Sequence, residues 1–459
     1  MATTTTSEGS TTLSDVGACK PQETGTAQKR VQTTRFTNAW IVLAGKLVQA
    51  DLFVREGIIL DAAKHFWQAS CDKSNTQDVV IDCEDHILAP GFIDIQLNGA
   101  YGVDFSDPQH LRDAAKVEET CRSIALHGVT SFYPTVVTVD KPTYSQVMPL
   151  LHDLCVGAKE QRKSAVAEML GIHCEGPFIA VSGAHCDDCI NRDDAGKVSS
   201  MGYTVSIGCS ANVTSLKIVT LAPESVSTQL IQSLVASGVR VSAGHSNATL
   251  EQTEQAIGNG VSMVTHMFNA MKAFSHRSPG CIGLLGLAPD RQPFVSVIAD
   301  GHHVHPCVVN MAWKCLKTTL PASARKDGLT SQTHWHACKF MLISDAISAA
   351  GLSRAQAIKV GCMEVRITDN GTRAVLKTDS SVLAGSVTML DQCVRNLLQF
   401  CPDCTIAQAI EAASTIPARA MGVEKQKGQL IPGADADLVL MDRNNLSIVK
   451  VWKRGVLVT

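Results

Sequence analysis

The 459-residue sequence has no apolar run approaching the roughly 18 residues of a membrane-spanning helix, so no transmembrane segment is read. It has no excess of charge of either sign. The formal net charge is −3 and the pI is near 6.6, which leaves no electrostatic footprint for nucleic acid or an anionic membrane. The start, MATTTTSEGSTTLSD, lacks both the basic and the apolar stretch of a secretory signal. The 17 cysteines are therefore expected as reduced thiols in the cytoplasm rather than as a disulfide scaffold. There is no Walker A or GxGxxG sequence, which speaks against a nucleotide-type phosphate site. There is no GxSxG elbow, and no cysteine evidently paired with a base, so the common nucleophilic hydrolase signatures are missing. Material for a core is plentiful: 45% of residues are hydrophobic and 18% charged, which excludes global disorder.

Two Cys-x-x-Cys pairs, Cys186/Cys189 and Cys401/Cys404, could in principle share a zinc ion. They lie more than two hundred residues apart, and the first encloses Asp187 and Asp188 in loop-like text, so chance occurrence is the preferred reading.

Composition changes twice along the chain. Residues 1–34 are rich in Thr and Ser and poor in large apolar residues, and are expected as a disordered tail. Residues 35–88 and 428–459 both read as short β runs punctuated by glycine turns, which suggests that the two ends pair into one small β domain. Between them, 89–427 alternates apolar runs with helical stretches. The runs are PGFIDIQLNG, GVTSFYPTVVT, AEMLGIHCEGPF, SLKIVTLAPE, GVRVSAGHS, GVSMVTHMFNAM, FVSVIADGHHV and KFMLISDA. Helices are expected at 112–127, 224–237, 249–259, 305–317 and 390–400. Eight β/α units point to an α/β fold closed as a barrel.

The unusual polar residues gather at the C-terminal ends of these runs: Gln96 and Asn98, His173 and Glu175, His245, His266 and Asn269, Asp300 with His302 and His303, and Asp345. In a β/α barrel that face carries the chemistry, and core packing alone does not collect ionisable groups there. A lone buried histidine is commonly satisfied by core hydrogen bonds. Glu175, His245 and His266, at the ends of the third, fifth and sixth runs, instead form a one-carboxylate, two-imidazole set suited to a catalytic metal with open positions. Asp345 follows LIS at a strand end. It can act as a general base and acid, or cap a following helix. Asn269, Arg277 and His302/His303 are candidate substrate groups. Arg277, in the Gly/Pro loop AFSHRSPGCIG, can clamp a phosphate or be an ordinary surface arginine.

The motifs PGFIDIQLNG, HCEGPF, GAH, GHSNAT, THMFNAM, HRSPG, ADGHHV, SDA, LAGSVTM and GADADLVLMD occur in that order. Together they resemble the N-acetylglucosamine-6-phosphate deacetylase family of the amidohydrolase superfamily, over about residues 35–459. The resemblance implies a (β/α)₈ TIM-like barrel carrying a small β-sandwich built from both chain ends. It implies Glu175, His245 and His266 as ligands of one divalent ion, zinc foremost, with iron(II) or another divalent ion as alternatives. Asp345 becomes the catalytic acid/base. Ala184, His185, Asn269, Ala270, Arg277, His303 and the segment Leu383, Ala384, Gly385 and Ser386 become substrate contacts. The implied substrate is a phosphorylated amino sugar and the implied assembly a homodimer.

Departures from the family pattern are visible. The superfamily usually has HxH at the end of the first barrel strand, where this chain has Gln96-Leu97-Asn98; amides are poor metal ligands, so a two-metal centre is not expected. Val181 and Ser182 precede GAH where relatives often have a basic stretch, and Cys186 follows where they have proline. Cys174 stands for a commoner leucine and is expected to point away from the site. The competing assignments are another amidohydrolase acting on a cyclic amide or N-acyl compound, and a catalytically inactive scaffold.

Overall fold

The computed structural model describes residues 32–64, 79–160, 165–181, 183–191, 214–317, 338–352, 358–368 and 371–459. The tail expected over 1–34 lies outside these except for its last residues, where the first strand already begins at Thr33.

Eight parallel strands alternate with helices in a nearly closed (β/α)₈ barrel. They are β1 (Phe92–Leu97), β2 (Val129–Val136), β3 (Ile172–Glu175), β4 (Leu216–Leu221), β5 (Arg240–Ala243), β6 (Val261–Val264), β7 (Phe294–Ile298) and β8 (Phe340–Ile343). Each pairs with its sequence neighbour in parallel register from β1 to β8. The ring closes between β8 and β1, where Leu97 bridges Ala346 and the Asp345 N–H donates to the Gln96 carbonyl at 3.0 Å. Every residue of β1, β2 and β3 is buried, as expected of parallel strands covered on both faces.

The outer helices bury one stripe each. In Leu390–Phe400 the residues Leu390, Cys393, Val394 and Leu397 face inward at helical spacing. The helix Leu250–Gly258 starts at a capping box, with Thr249 and Gln252 exchanging backbone hydrogen bonds. No helix among the described residues is long and apolar enough to cross a membrane.

The chain ends meet in a second, all-β layer. A six-stranded sheet contains Trp40–Leu43 and Ile87–Pro90 from the N-terminal part with Leu438–Met441 and Ile448–Lys453 from the C-terminal part. Ile87–Pro90 and Leu438–Met441 are direct antiparallel neighbours. A four-stranded sheet built on Thr33–Thr37 completes the layer. Phe36, Leu52, Val54, Leu88, Leu438 and Trp452 form its core, with the Phe36 and Trp452 rings edge to face at 5.1 Å.

One element was not anticipated. After β8 a three-stranded antiparallel sheet, Ile358–Val360, Met363–Thr368 and Arg373–Leu376, is inserted before the last barrel helix. It leads into the Leu383–Ser386 segment, whose Ala384 N–H donates to the Ala374 carbonyl at 2.9 Å.

Candidate active site

The C-terminal strand ends form the floor of a cavity of about 230 Å³. Glu175 ends β3; His245 and His266 stand just past β5 and β6, and Asp345 just past β8. His245, His266 and Asp345 all have positive φ, at 49°, 29° and 49°. For non-glycine residues this is costly backbone, held in place by the surrounding barrel, and strain of this kind collects at functional sites.

Three ligand atoms converge. The Nε2 of His266 is 2.9 Å and the Nε2 of His245 3.3 Å from Glu175 Oε1, and the two Nε2 atoms are 3.1 Å apart. All three side chains are buried. The His245 Nδ1–H donates to the Val181 carbonyl at 2.7 Å, which leaves Nε2 with its lone pair directed at the cluster. Two imidazole nitrogens and a carboxylate oxygen held this closely among buried residues fit a divalent cation with open positions. Burial opposes charge on Glu175, yet the facing His245 and His266 imidazoles hold its carboxyl well below the ordinary range.

Gln96 and Asn98 have a part that sequence reasoning missed. Gln96 Nε2 donates to Glu175 Oε1 at 2.9 Å, and Asn98 Nδ2 donates to Asp345 Oδ1 at 2.8 Å. The amides that replace the usual histidines thus orient the two acidic groups. The signal was present in the sequence as two N–H₂ donors at a strand end opposite two strand-end carboxylates. The capping alternative for Asp345 fails, because a turn and not a helix follows it. Burial, and then the neighbouring Glu175, raise the Asp345 carboxyl to about 6, while His266, His303 and the Asn98 hydrogen bond pull it down.

Of the other residues singled out, Ala184, His185, Asn269, Ala270, His303, Leu383, Ala384 and Gly385 line the same cavity. His185 accepts the Thr138 N–H at Nδ1 (3.0 Å), so the neutral ring carries its proton on Nε2, 3.6 Å from Glu175 Oε2. Burial and then His245 push its pKa down to about 3. His303 Nδ1 donates to the buried Asp300 carboxylate at 2.7 Å. Ser386 is buried and does not line the cavity; its N–H donates to the Asp345 carbonyl at 2.8 Å. Arg277 is exposed and also lies outside the lining. His302 is exposed, and His173 is satisfied in the core by the Ile95 carbonyl and Thr220 Oγ1. Cys174 faces away from the site, against Met148. A larger cavity of about 500 Å³, lined by Lys217, Arg240, Lys427 and Arg454, lies at the N-terminal strand ends. That end of a β/α barrel serves stability.

Comparison with known proteins gives the family. The Amidohydrolase family model matches residues 87–458. The human N-acetylglucosamine-6-phosphate deacetylase is 39% identical over 445 residues, 95% of this chain and 97% of that protein. The chain belongs to the amidohydrolase family, among its N-acetylglucosamine-6-phosphate deacetylases. The zebrafish member, from Danio rerio, is 37% identical over 416 residues, 89% of this chain and 93% of its own length. Among solved structures, the Thermotoga maritima N-acetylglucosamine-6-phosphate deacetylase superposes with a TM-score of 0.72 at 25% identity, covering 93% of this chain and 99% of that one. Amidohydrolases carry a divalent metal centre, and Glu175, His245 and His266 form a buried group among the described residues that could hold one.

Proposed function

We propose that this amidohydrolase removes the acetyl group from N-acetylglucosamine 6-phosphate, yielding glucosamine 6-phosphate and acetate. The observation that carries the reading is the buried convergence of Glu175, His245 and His266 across one cavity from Asp345. The cation assigned to this set is zinc, with iron(II) as the alternative. When bound, such an ion acidifies water and polarises a carbonyl.

The chain's own groups supply the rest. Asp345, oriented by Asn98, accepts the proton of the attacking water and later delivers it to the departing amine. The water oxygen bonds to the acetyl carbon, the C–N bond breaks, and acetate and the free amine leave. Gln96 holds Glu175 in place. For His303 to donate from Nε2 to the developing oxyanion while Asp300 holds its Nδ1–H, the ring must be doubly protonated, a form that the buried Asp300 carboxylate neutralises. A donor of that kind contributes about 2.7–4 kcal/mol. His185 Nε2–H, Asn269 and the Leu383–Gly385 backbone border the sugar, and Ser386 supports them from below.

Arg277 is assigned to the phosphate. Its exposure outside the cavity supports a contact made across a homodimer rather than within one chain. The described cysteines are all free thiols, in keeping with a cytoplasmic enzyme. Acetate release from the 6-phosphorylated and the plain sugar tests the assignment. Arg277→Ala should lose at least ~10-fold in kcat/KM on the phosphorylated substrate, the loss of a charge-assisted hydrogen bond. It should leave the plain sugar almost unaffected; equal losses on both would remove Arg277 from the phosphate site.

A further inference from the structure

The Cys186/Cys189 pair is joined in space by neither Cys401 nor Cys404 but by Cys362. The three sulfurs lie within 4.8 Å of one another. Cys186 and Cys189 sit on a single tight turn, where the Cys189 N–H donates to the Cys186 carbonyl at 3.0 Å and Asp187–Cys189 forms one 3₁₀ turn. This is the geometry by which a Cys-x-x-Cys pair presents two sulfurs to one point. Cys362 arrives from the tip of the hairpin between Ile358–Val360 and Met363–Thr368. That tip has little slack. The Gly361 N–H donates to the buried Asp104 carboxylate at 2.9 Å, and a Cβ at Gly361, whose φ is +55°, would stand 3.0 Å from Val137 and 3.2 Å from Val139. Two segments far apart in sequence are thus independently fixed with their thiols facing one another.

We propose that Cys186, Cys189 and Cys362 form a second metal site, separate from the Glu175–His245–His266 cluster, that binds zinc(II) through three thiolates. The fourth position of a tetrahedral ion falls to water. Three sulfur ligands select a borderline-soft cation over magnesium or calcium. Zinc displaces the thiol protons as it binds, so its affinity rises with pH. The site has a structural consequence. Cys186 directly follows His185, and Val360, two residues before Cys362, lines the same cavity as His185. A cation here ties the GAH turn to the inserted hairpin and braces one wall of the active site.

The test uses the full chain. Cobalt(II) loaded into Glu175→Gln protein should give thiolate-to-cobalt charge-transfer absorption. Cys186→Ser, Cys189→Ser and Cys362→Ser should each abolish it, while Cys401→Ser leaves it intact. Should the serine variants fail to fold, alkylation of the wild-type protein followed by mass spectrometry gives a second reading. Added zinc should protect Cys186, Cys189 and Cys362, and a chelator should release them, while exposed Cys307 and Cys315 react in both states. Absence of the charge-transfer band, its survival in Cys362→Ser, equal alkylation with and without zinc, or a disulfide between any two of the three in freshly purified protein would overturn the proposal.

Discussion

The amides of Gln96 and Asn98 each aim an N–H at a carboxylate, at 2.9 Å on Glu175 and 2.8 Å on Asp345. Removing either donor should be felt through its partner. Gln96→Leu leaves Glu175 less well oriented, and metal affinity measured by competition with a chelator should fall ~10–100-fold, as for other outer-shell partners of metal ligands. In the proposed reaction Asp345 works as a base in its ionised form, and burial with Glu175 raises its carboxyl to about 6. Activity is therefore lost as pH falls through the acid limb of kcat/KM, and the positive charge of a bound cation draws that limb below the value of the empty site. Asn98→Ala deletes a contact that favours the carboxylate, so the limb should move upward, by about one unit if the hydrogen bond is worth ~1.5 kcal/mol. An unmoved limb would detach Asn98 from Asp345. The amide donors and the strand-end carboxylates were legible in the sequence, but which amide meets which carboxylate was not, because each pair joins positions far apart in the chain and only the closed barrel brings them together.

At the level of elements, the strand ends and the segments that cap them hold the catalytic geometry. Gly385 has a φ of +76°, and a Cβ there would stand 2.6 Å from Ile347 Cγ2 and 3.0 Å from the Asp345 carbonyl oxygen. Gly385→Ala should lower thermal stability by at least ~1 kcal/mol through backbone strain and lower kcat by displacing Asp345, both measurable on one preparation. The eight strands and the helix Leu390–Phe400 were readable because buried parallel strands are apolar runs and amphipathic helices repeat at helical spacing. The inserted hairpin at 358–376 was not. Its strands are short, and MEVRIT alternates charged with apolar residues in a way that surface loops also do. With it went the position of Cys362, so the Cys-x-x-Cys pair at 186–189 looked accidental.

Across the whole molecule, the barrel and the terminal β layer are joined by a buried ionic cluster. Lys427 contacts Glu168, Asp435 and Asp437 at 2.9, 2.9 and 3.0 Å, and Lys453 contacts Asp437 at 2.8 Å and the Thr130 carbonyl of β2 at 2.9 Å. Burial opposes charge on Asp437, but Lys453 and Lys427 hold its carboxyl well below the ordinary 3.8. Its stabilising contribution is therefore complete above the unfolded value and is lost as pH falls through the depressed folded one. Asp437→Asn leaves buried lysines short of a counter-charge and should cost ~3–5 kcal/mol in denaturant unfolding; a neutral effect would mean that the cluster is solvated.

One cation held by Glu175, His245 and His266 in front of Asp345 is the centre of the proposed reaction, and acetate release from N-acetylglucosamine 6-phosphate tests it most directly. Chelated protein should be inactive and regain turnover with zinc or iron(II), Asp345→Asn should retain metal yet lose ~10²–10⁴-fold in kcat, and Glu175→Gln should not be rescued at stoichiometric metal. Full turnover by metal-free protein, or by either variant, would contradict it.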